Sequence, residues 1–297
     1  GSGWADAGKA MEGFMVMVIE KARKHPGGVQ FKRGKASKLL VRHAKDKERV
    51  IGVKLEDGSR IVADLTIVAA GAWSGSLLDL RGRADARGQV IAYVAISAAE
   101  KDALKKLPVL LNLSTGMFII PPVQDPITGS WVIKVARHSY GYGNPTTVES
   151  PEGENITTSL PAAQFSPIPF EGEQACRKFL KESIPWLGER PFSGTRICWY
   201  TDTPTGDFLI DYHPRYNRLF FATGGSGHGF KFLPVLGDKI LAALDGILEE
   251  ELANLWRWRE DRVENFRGTE DGSRGGGGRM NLKEAWREAR VDTKSKL

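Results

Sequence analysis

The sequence predicts a mixed α/β (α+β) fold made of an α/β unit and an antiparallel sheet. Two apolar segments each end in a turn of small residues before a helical pattern: residues 60–70 lead into AAGAWS, and residues 219–223 lead into GGSGHGFK. Between them, residues 109–137 alternate short strand patterns with glycine and proline turns, which is typical of an antiparallel sheet. These features predict two structural parts within one chain.

The first segment predicts a helix followed by strands. Residues 4–24 place apolar side chains at helical spacing and end at the helix stop His25-Pro26-Gly27-Gly28. Strand patterns follow at 29–31, 36–43 and 50–55, with Asp57-Gly58 as a hairpin turn. Residues 60–70 predict one buried strand, and a short helix is expected at Leu77-Leu78.

The remainder predicts a sheet, a helix and a return to the first unit. Strands are expected at 109–113, 117–120 and 131–137, and helices at 171–184, 236–248, 249–262 and 282–290. We interpret residues 1–88 and 194–297 as two segments of one domain and residues 89–193 as a domain inserted between them. A four-glycine run at 275–278 predicts a loop.

Composition limits the possible functions. The chain has 297 residues, 41% of them hydrophobic, and a net charge of +6 with a pI near 9.2. The basic residues are not gathered on one helix, so nucleic-acid binding is only weakly supported. No apolar run reaches the length that spans a membrane, and two cysteines are too few for a disulfide framework. The low cysteine count favours a reducing compartment. The charge distribution and the length of the apolar runs argue against nucleic acid and membrane as partners.

The last three residues, Ser295-Lys296-Leu297, match the SKL address that a peroxisomal import receptor reads at a free C-terminus. The sequence therefore predicts a peroxisomal location. It contains no cluster that suggests a metal site, and we expect a monomer.

The turn GGSGHGFK predicts a site for a cofactor or an anion. Glycine lets the backbone approach a ligand closely, and a helix N-terminus presents amide groups of partial positive charge. Lys231 would add a full charge. On spacing alone, the same turn could serve as a connection without any ligand. Cys198, which lies upstream in the segment RICWYTDTPTGDFLID, could be inert packing.

A resemblance to a known family favours a functional role for both the turn and Cys198. The segment RICWYTDTPTGDFLID, with Cys198, and the following ATGGSGHGFKF resemble the C-terminal half of the fructosyl amino acid oxidases (amadoriases). These flavoenzymes belong to the sarcosine oxidase and D-amino acid oxidase superfamily, and the resemblance covers nearly the whole chain. It implies part of an FAD-binding Rossmann-like domain, an antiparallel-sheet substrate domain, and FAD bound covalently through Cys198.

The resemblance also implies roles for single residues. Lys134 would lie over the flavin face and favour electron transfer to oxygen, and His138 would contact the substrate. Lys231 and Arg274 would clamp the substrate carboxylate. The flavin would further contact a set of residues in both turns and one strand: Ala36, Ala70, Gly71, Trp73, Asp202, Gly225, Ser226, Gly227, Phe230 and Lys231.

Several residues keep a second interpretation. Lys134 could be an exposed lysine on an amphipathic strand, and Arg274 could be a solvated arginine in a flexible tail. Asp202 could instead cap the turn at Thr203-Pro204. His228 is expected to shape its turn rather than to transfer protons.

The implied function is oxidative deglycation of fructosyl amino acids, with release of amino acid, glucosone and hydrogen peroxide. A sarcosine or pipecolate oxidase of the same superfamily is the alternative. A third hypothesis is an inactive remnant, because no GxGxxG turn after a strand precedes Trp4 and the nucleotide-binding unit of the family is therefore expected to be missing.

Overall fold

The computed structural model describes residues 3–25, 27–43, 48–125, 128–163, 166–264, 266, 268–278 and 280–294, with backbone only from 289 onward. Its helices are α1 Ala7–Lys24, α2 Ala98–Leu104, α3 Phe170–Ser183, α4 Leu233–Leu244, α5 Glu250–Trp256 and α6 Leu282–Lys294. None of the described helices is long and apolar enough to cross a bilayer.

The strands fall into four sheets. In chain order they are β1 Ala36–Arg42, β2 Glu48–Leu55, β3 Arg60–Val62, β4 Thr66–Val68, β5 Asp85–Ile96, β6 Leu110–Asn112, β7 Met117–Gln124, β8 Trp131–Arg137, β9 Tyr142–Gly143, β10 Pro145–Glu149, β11 Asn155–Ser159, β12 Gly194–Asp202, β13 Leu209–Tyr212, β14 Tyr216–Asn217, β15 Leu219–Thr223 and β16 Met280–Asn281.

The largest sheet has the order β16-β9-β5-β8-β7-β6, with β12 also paired to β5. All of its pairings are antiparallel except β16 with β9. One face packs on α3, where Cys176 and Leu180 are fully buried. Ile197 and Trp199 of β12 pack against this core, so strand alternation turns Arg196, Cys198 and Tyr200 toward the opposite face.

Two smaller sheets build the α/β unit. β15 pairs antiparallel with β13 and parallel with β4, while β2 pairs with β1, β3 and β14. Phe220 and Phe221 of β15 are both fully buried and point to different sides of their sheet, one toward Trp256 and one toward Trp258. The strand that leads into the glycine turn is therefore held in hydrophobic contacts on both sides.

Most of the predicted elements are confirmed. The helix before His25, the strand at 131–137, the helix after Pro169 and the antiparallel pairing of 109–137 all occur. The Asp57-Gly58 hairpin also occurs: Leu55 N donates to Ser59 O at 2.9 Å, and Gly58 has a φ of +83°.

Four local predictions were wrong. Residues 29–31 form no strand, and residues 60–70 form two short strands, β3 and β4, that belong to different sheets. A single 3-10 turn over Gly71–Ser76 replaces the helix at Leu77-Leu78, whose side chains are buried instead. The helix expected over 249–262 ends at Trp256, because Arg257 adopts an extended ψ of 155°.

The division into domains stays a prediction. β5 runs across the boundary proposed at 88/89. The nine-residue strand β12, which we assigned to the return segment, pairs with β5 along its whole length.

The burial pattern predicts which aromatic side chains stabilise the fold. We expect Phe220→Ala to lower the free energy of unfolding by about 3–5 kcal/mol, because it leaves a cavity at a fully buried position. Phe31→Ala is the matched control, since Phe31 is 60% exposed and its loss should change stability by less than about 0.5 kcal/mol. Chemical denaturation monitored by circular dichroism measures both, and equal effects would contradict the packing described.

Candidate active site

The outward face of the large sheet gathers the first group of candidate residues. Lys134 of β8 lies opposite Tyr93 of β5, and Cys198 of β12 lies opposite Gln89 of the same strand. The guanidinium carbon of Arg196 is 5.9 Å from the centre of the Tyr93 ring. Three neighbouring strands thus place a thiol and two cations on one surface.

Cys198 is a free, half-buried cysteine beside two positive charges. The charge of Lys134 interacts with both Cys198 and Arg196. The reactivity of the Cys198 thiol stays a prediction.

Lys134 is not the exposed lysine of the second interpretation. Burial lowers its pKa, and nearby Arg196 lowers it further while Cys198 opposes the change. Its Nζ lies 5.5 Å from the centre of the Phe118 ring. A cation in such a partly dry site exerts a stronger field than one in water.

His138 follows β8 and lies in a second group with Tyr200 and Arg274. Its Nδ1 is 3.4 Å from the Tyr200 hydroxyl and 2.9 Å from Nη1 of Arg274. Burial, and secondly the charge of Arg274, lower the pKa of His138 to about 4. The imidazole is therefore neutral at pH 7 and able to accept a hydrogen bond.

Arg274 is buried and forms an ion pair with Asp202. Its Nη2 donates to Asp202 Oδ1 at 2.8 Å and to the backbone oxygen of Ser226 at 2.9 Å. Both side chains are fully removed from solvent. The second interpretations of Arg274 as a solvated residue and of Asp202 as a turn cap are both wrong, because these side chains hold each other in the interior.

Asp202 is under electrostatic strain. Its Oδ2 is buried without a hydrogen-bond partner among the described residues. Burial raises the pKa of this carboxyl to about 6, although Arg274 and Arg87 oppose the shift. For the Asp202 carboxyl, desolvation therefore outweighs the attraction of the two arginines.

The carboxylate clamp stays a prediction. The Arg274 guanidinium faces Asp202, so it is not open to a substrate in this arrangement. Lys231 is exposed, and its Nζ lies 5.1 Å from the centre of the Phe232 ring.

The turn after β15 is strained in a way that brings it against β12. Gly224, Ser226 and Gly227 have φ values of +73°, +45° and +72°. Ser226 N donates to Thr201 O at 2.9 Å. A side chain on Gly227 would approach the Tyr200 ring to 2.6 Å, whereas one on Gly225 would meet open space.

The first glycine turn lies beside the second. Gly71 has a φ of +52°, and a Cβ built on it would be 3.8 Å from Oγ1 of Thr201. Ser74 Oγ is 3.1 Å from Oγ1 of Thr223, the last residue of β15. The two turns therefore meet at the end of β12, three residues beyond Cys198.

Four further predicted flavin contacts are Ala36, Ala70, Trp73 and Phe230. Ala36 and Ala70 pack against one hydrophobic cluster, while Trp73 and Phe230 are 53% and 39% exposed. Their contacts with a flavin stay predictions. Ser295, Lys296 and Leu297 lie outside the described residues, so the peroxisomal address also stays a prediction.

His228 shapes its turn, as predicted. Its Nε2 lies 2.9 Å from the carbonyl oxygen of Gly206, and its ring stacks on Phe208 at a centroid distance of 5.5 Å. Both contacts connect the glycine turn to the preceding loop.

Sequence reasoning missed Tyr200 and Gln89. Tyr200 could have been found from the alternation of β12, which puts it on the same side as Cys198 and Asp202. Gln89 is a lone amide inside an apolar strand and is only 2% exposed. Among the described residues, no three or more His, Cys, Asp or Glu side chains form a group that could hold a metal ion.

Comparison with known proteins identifies the family. The model of the FAD dependent oxidoreductase family matches residues 1–244. The chain belongs to this family.

Three relatives show what else the chain resembles. It is 35% identical over 266 residues to the L-saccharopine oxidase of Schizosaccharomyces pombe, covering 86% of this chain and 59% of that protein. It is 29% identical to the monomeric sarcosine oxidase of a Bacillus strain, covering 65% of this chain and 46% of that one. The fructosyl peptide oxidase structure from E. terrenum superposes with a TM-score of 0.79 at 30% identity, covering 95% of this chain and 62% of that one.

These figures confirm the recognised superfamily and the mixed α/β fold. The chain spans between about half and two thirds of the length of these three proteins.

The site residues fit the ring end of a flavin. The thiol of Cys198 is free and partly accessible beside Lys134, and the open space at Gly225 lies on the turn that meets the same strand. These residues could hold the isoalloxazine part of FAD.

The buried ion pair predicts a pH-dependent stability. Arg274→Met should cost about 3–5 kcal/mol at pH 8, because it leaves the Asp202 charge unpaired in the interior. The pKa of Asp202 then rises above about 6, so the folded state keeps a proton that the unfolded chain releases near pH 4. Stability should therefore fall with rising pH beyond pH 6, whereas that of the unaltered chain should level off there.

Denaturation midpoints between pH 5 and 8 measure this effect. Arg218→Met serves as the control, since the Arg218–Asp64 pair is exposed and should contribute less than about 1 kcal/mol. Parallel pH profiles for both variants would refute the assignment.

Proposed function

We propose that this chain belongs to an FAD-dependent oxidase that deglycates fructosyl amino acids. The substrate loses two electrons and two protons at its carbon–nitrogen bond, and water hydrolyses the resulting imine to amino acid and glucosone. Oxygen accepts the electrons and becomes hydrogen peroxide. The flavin supplies the redox chemistry, and the protein supplies orientation and electrostatics.

The cluster of Cys198, Lys134 and Arg196 on one sheet face carries this proposal. The Cys198 thiol is free and half-buried, and it lies on the same sheet face as Lys134 and Arg196, as attachment to a flavin ring there would need. Support for the substrate comes from the fructosyl peptide oxidase structure, which aligns with 95% of the chain. The motifs around Cys198 and the GHGFK turn point the same way.

Lys134 acts in the oxidative half of the reaction. Reduction of oxygen develops negative charge, and a preorganised cation in a partly dry site stabilises that charge. Because its charge is needed, the reaction with oxygen should slow as pH rises through the lowered pKa of Lys134.

His138 and Arg274 act on the substrate side. The neutral imidazole of His138 can accept a hydrogen bond from the substrate amine. A substrate carboxylate could compete with Asp202 for the Arg274 guanidinium, and Lys231 would add a second positive charge.

A saccharopine, sarcosine or pipecolate oxidase is the second candidate. The printed names of the S. pombe and Bacillus relatives support it, and the first of these is 35% identical. An inactive remnant is the third candidate.

A substrate panel with peroxide detection tests the proposal. We expect oxidation of fructosyl valine or ε-fructosyl lysine, with sarcosine, pipecolate and saccharopine turned over at least ~10-fold more slowly in kcat/KM. Preference for saccharopine or sarcosine would replace the substrate assignment. Turnover of none of these, together with a colourless acid precipitate after incubation with FAD, would favour the remnant.

Covalent attachment predicts a simple variant phenotype. Cys198→Ser should abolish flavin fluorescence in the acid-precipitated protein, because an alkoxide does not form near pH 7. Cys176→Ser is the matched control, since that thiol is fully buried under the sheet and burial raises its pKa to about 12. Flavin that stays attached in Cys198→Ser would contradict the linkage.

Loss of the buried cation should affect oxygen reactivity. In Lys134→Met we expect reoxidation by oxygen to fall on the order of 10²–10³-fold, while reduction by substrate changes much less. Stopped-flow measurements separate the two half-reactions. Lys101→Met is the control, since its Nζ also lies over an aromatic ring, at 5.1 Å from the centre of Trp131, but pairs with Asp102 at 3.1 Å, away from Cys198. Similar losses in both variants would refute the role of Lys134.

A further inference from the structure

Gln89 is a buried amide directly beside Cys198 in the large sheet. It is the cross-strand partner of Cys198 in the β5–β12 pair and is only 2% exposed. Its neighbours in β5, Val90 and Ile91, are buried apolar residues. A polar amide at such a position is costly unless its hydrogen bonds are satisfied.

Both ends of the Gln89 amide bind one residue. Nε2 donates to the backbone oxygen of Ser139 at 2.8 Å, and Oε1 accepts from Ser139 N at 3.1 Å. Gly141 has a φ of +67°, and a Cβ there would come within 2.5 Å of Nε2. The segment after His138 is therefore shaped to lie closely against this amide.

Ser139 connects the backbone segments that carry His138 and Arg274. It directly follows His138 and forms a parallel bridge with Gly275, the residue after Arg274. His138 N donates to Gly116 O at 2.7 Å, and Gly275 N donates to His138 O at 3.4 Å. The backbone of both site residues is thus held through the residue that Gln89 binds.

We propose that Gln89 is a positioning residue that holds His138 and Arg274 in place relative to the strand of Cys198. The roles of the positioned groups rest on the proposed function, whereas the positioning itself can be measured without flavin. Gln89 touches neither Arg274 nor the imidazole in any contact described above. It acts through Ser139, and its loss should free the 138–141 segment rather than unfold the sheet.

Gln89→Met tests this directly, because methionine keeps the length of the side chain and removes both hydrogen bonds. The readout is the titration of the five histidines by NMR in the full chain. His138 faces Arg274, Tyr200, Asp271 and His228, and its pKa of about 4 depends on staying buried beside Arg274. In the variant it should move up toward the ~6.5 of a free imidazole.

His213 provides an internal reference, since burial also lowers its pKa to about 4. It packs on Trp258, in the core of the other unit, and should not move. Gln124→Met is the matched variant, because its exposed amide also donates to a backbone oxygen, that of Gly129, at 3.0 Å. It should leave the pKa of His138 unchanged.

Gln89→Asn is used if the methionine variant does not fold, since asparagine stays polar but does not reach Ser139. A folded Gln89 variant in which His138 still titrates near 4 overturns the proposal and makes Gln89 a structural amide only. A failure of the chain to bind flavin would overturn the proposed function but not this result, because the titration is done without flavin.

Discussion

The pairing of β12 with β5 determines which side chains meet at the candidate site. Because the strand pleat alternates, the same nine residues pack Ile197 and Trp199 against the core of the large sheet and turn Arg196, Cys198 and Tyr200 to the other face. A shift of one residue would exchange the two sets. The hydrophobic core therefore enforces the register on which the chemistry depends.

Charge burial is the second constraint, and it differs between the two ends of β12. Near Cys198, Lys134 is half-buried and Arg196 is exposed, so neither cation is fully removed from water. At the far end, Asp202 and Arg274 are fully buried and partly unsatisfied. Replacing one partner there should lower stability, whereas Lys134 can be replaced without leaving a fully buried charge unpaired.

The sequence predicted long, regular elements well and short ones poorly. The helix before His25 and the strand at 131–137 carry clear periodicity, and both formed as predicted. Strand 60–70 failed because its apolar pattern continues through Asp64, where the chain leaves one sheet and joins another. No local pattern signals that change of partner, which is decided by pairing with β15.

The same distinction applies to the site. Motif resemblance predicted Cys198, Lys134, His138 and Arg274 as site residues, and the fold brings them near one strand. It could not show that Arg274 faces Asp202, because that contact joins residues 72 positions apart. Nor could it indicate Gln89, whose meaning lies in two hydrogen bonds to a backbone 50 residues away.

The two parts of the chain differ in how complete their packing is. The large sheet has its own core, in which Ile119, Ile133 and Leu180 are fully buried. Helix α1 has no buried residue, and Met17 on it is 64% exposed. Since Lys134, Cys198 and His138 are all positioned by the large sheet, their geometry does not depend on what packs against α1. The arrangement of Lys134, Cys198 and His138 and the packing of α1 can therefore be considered separately.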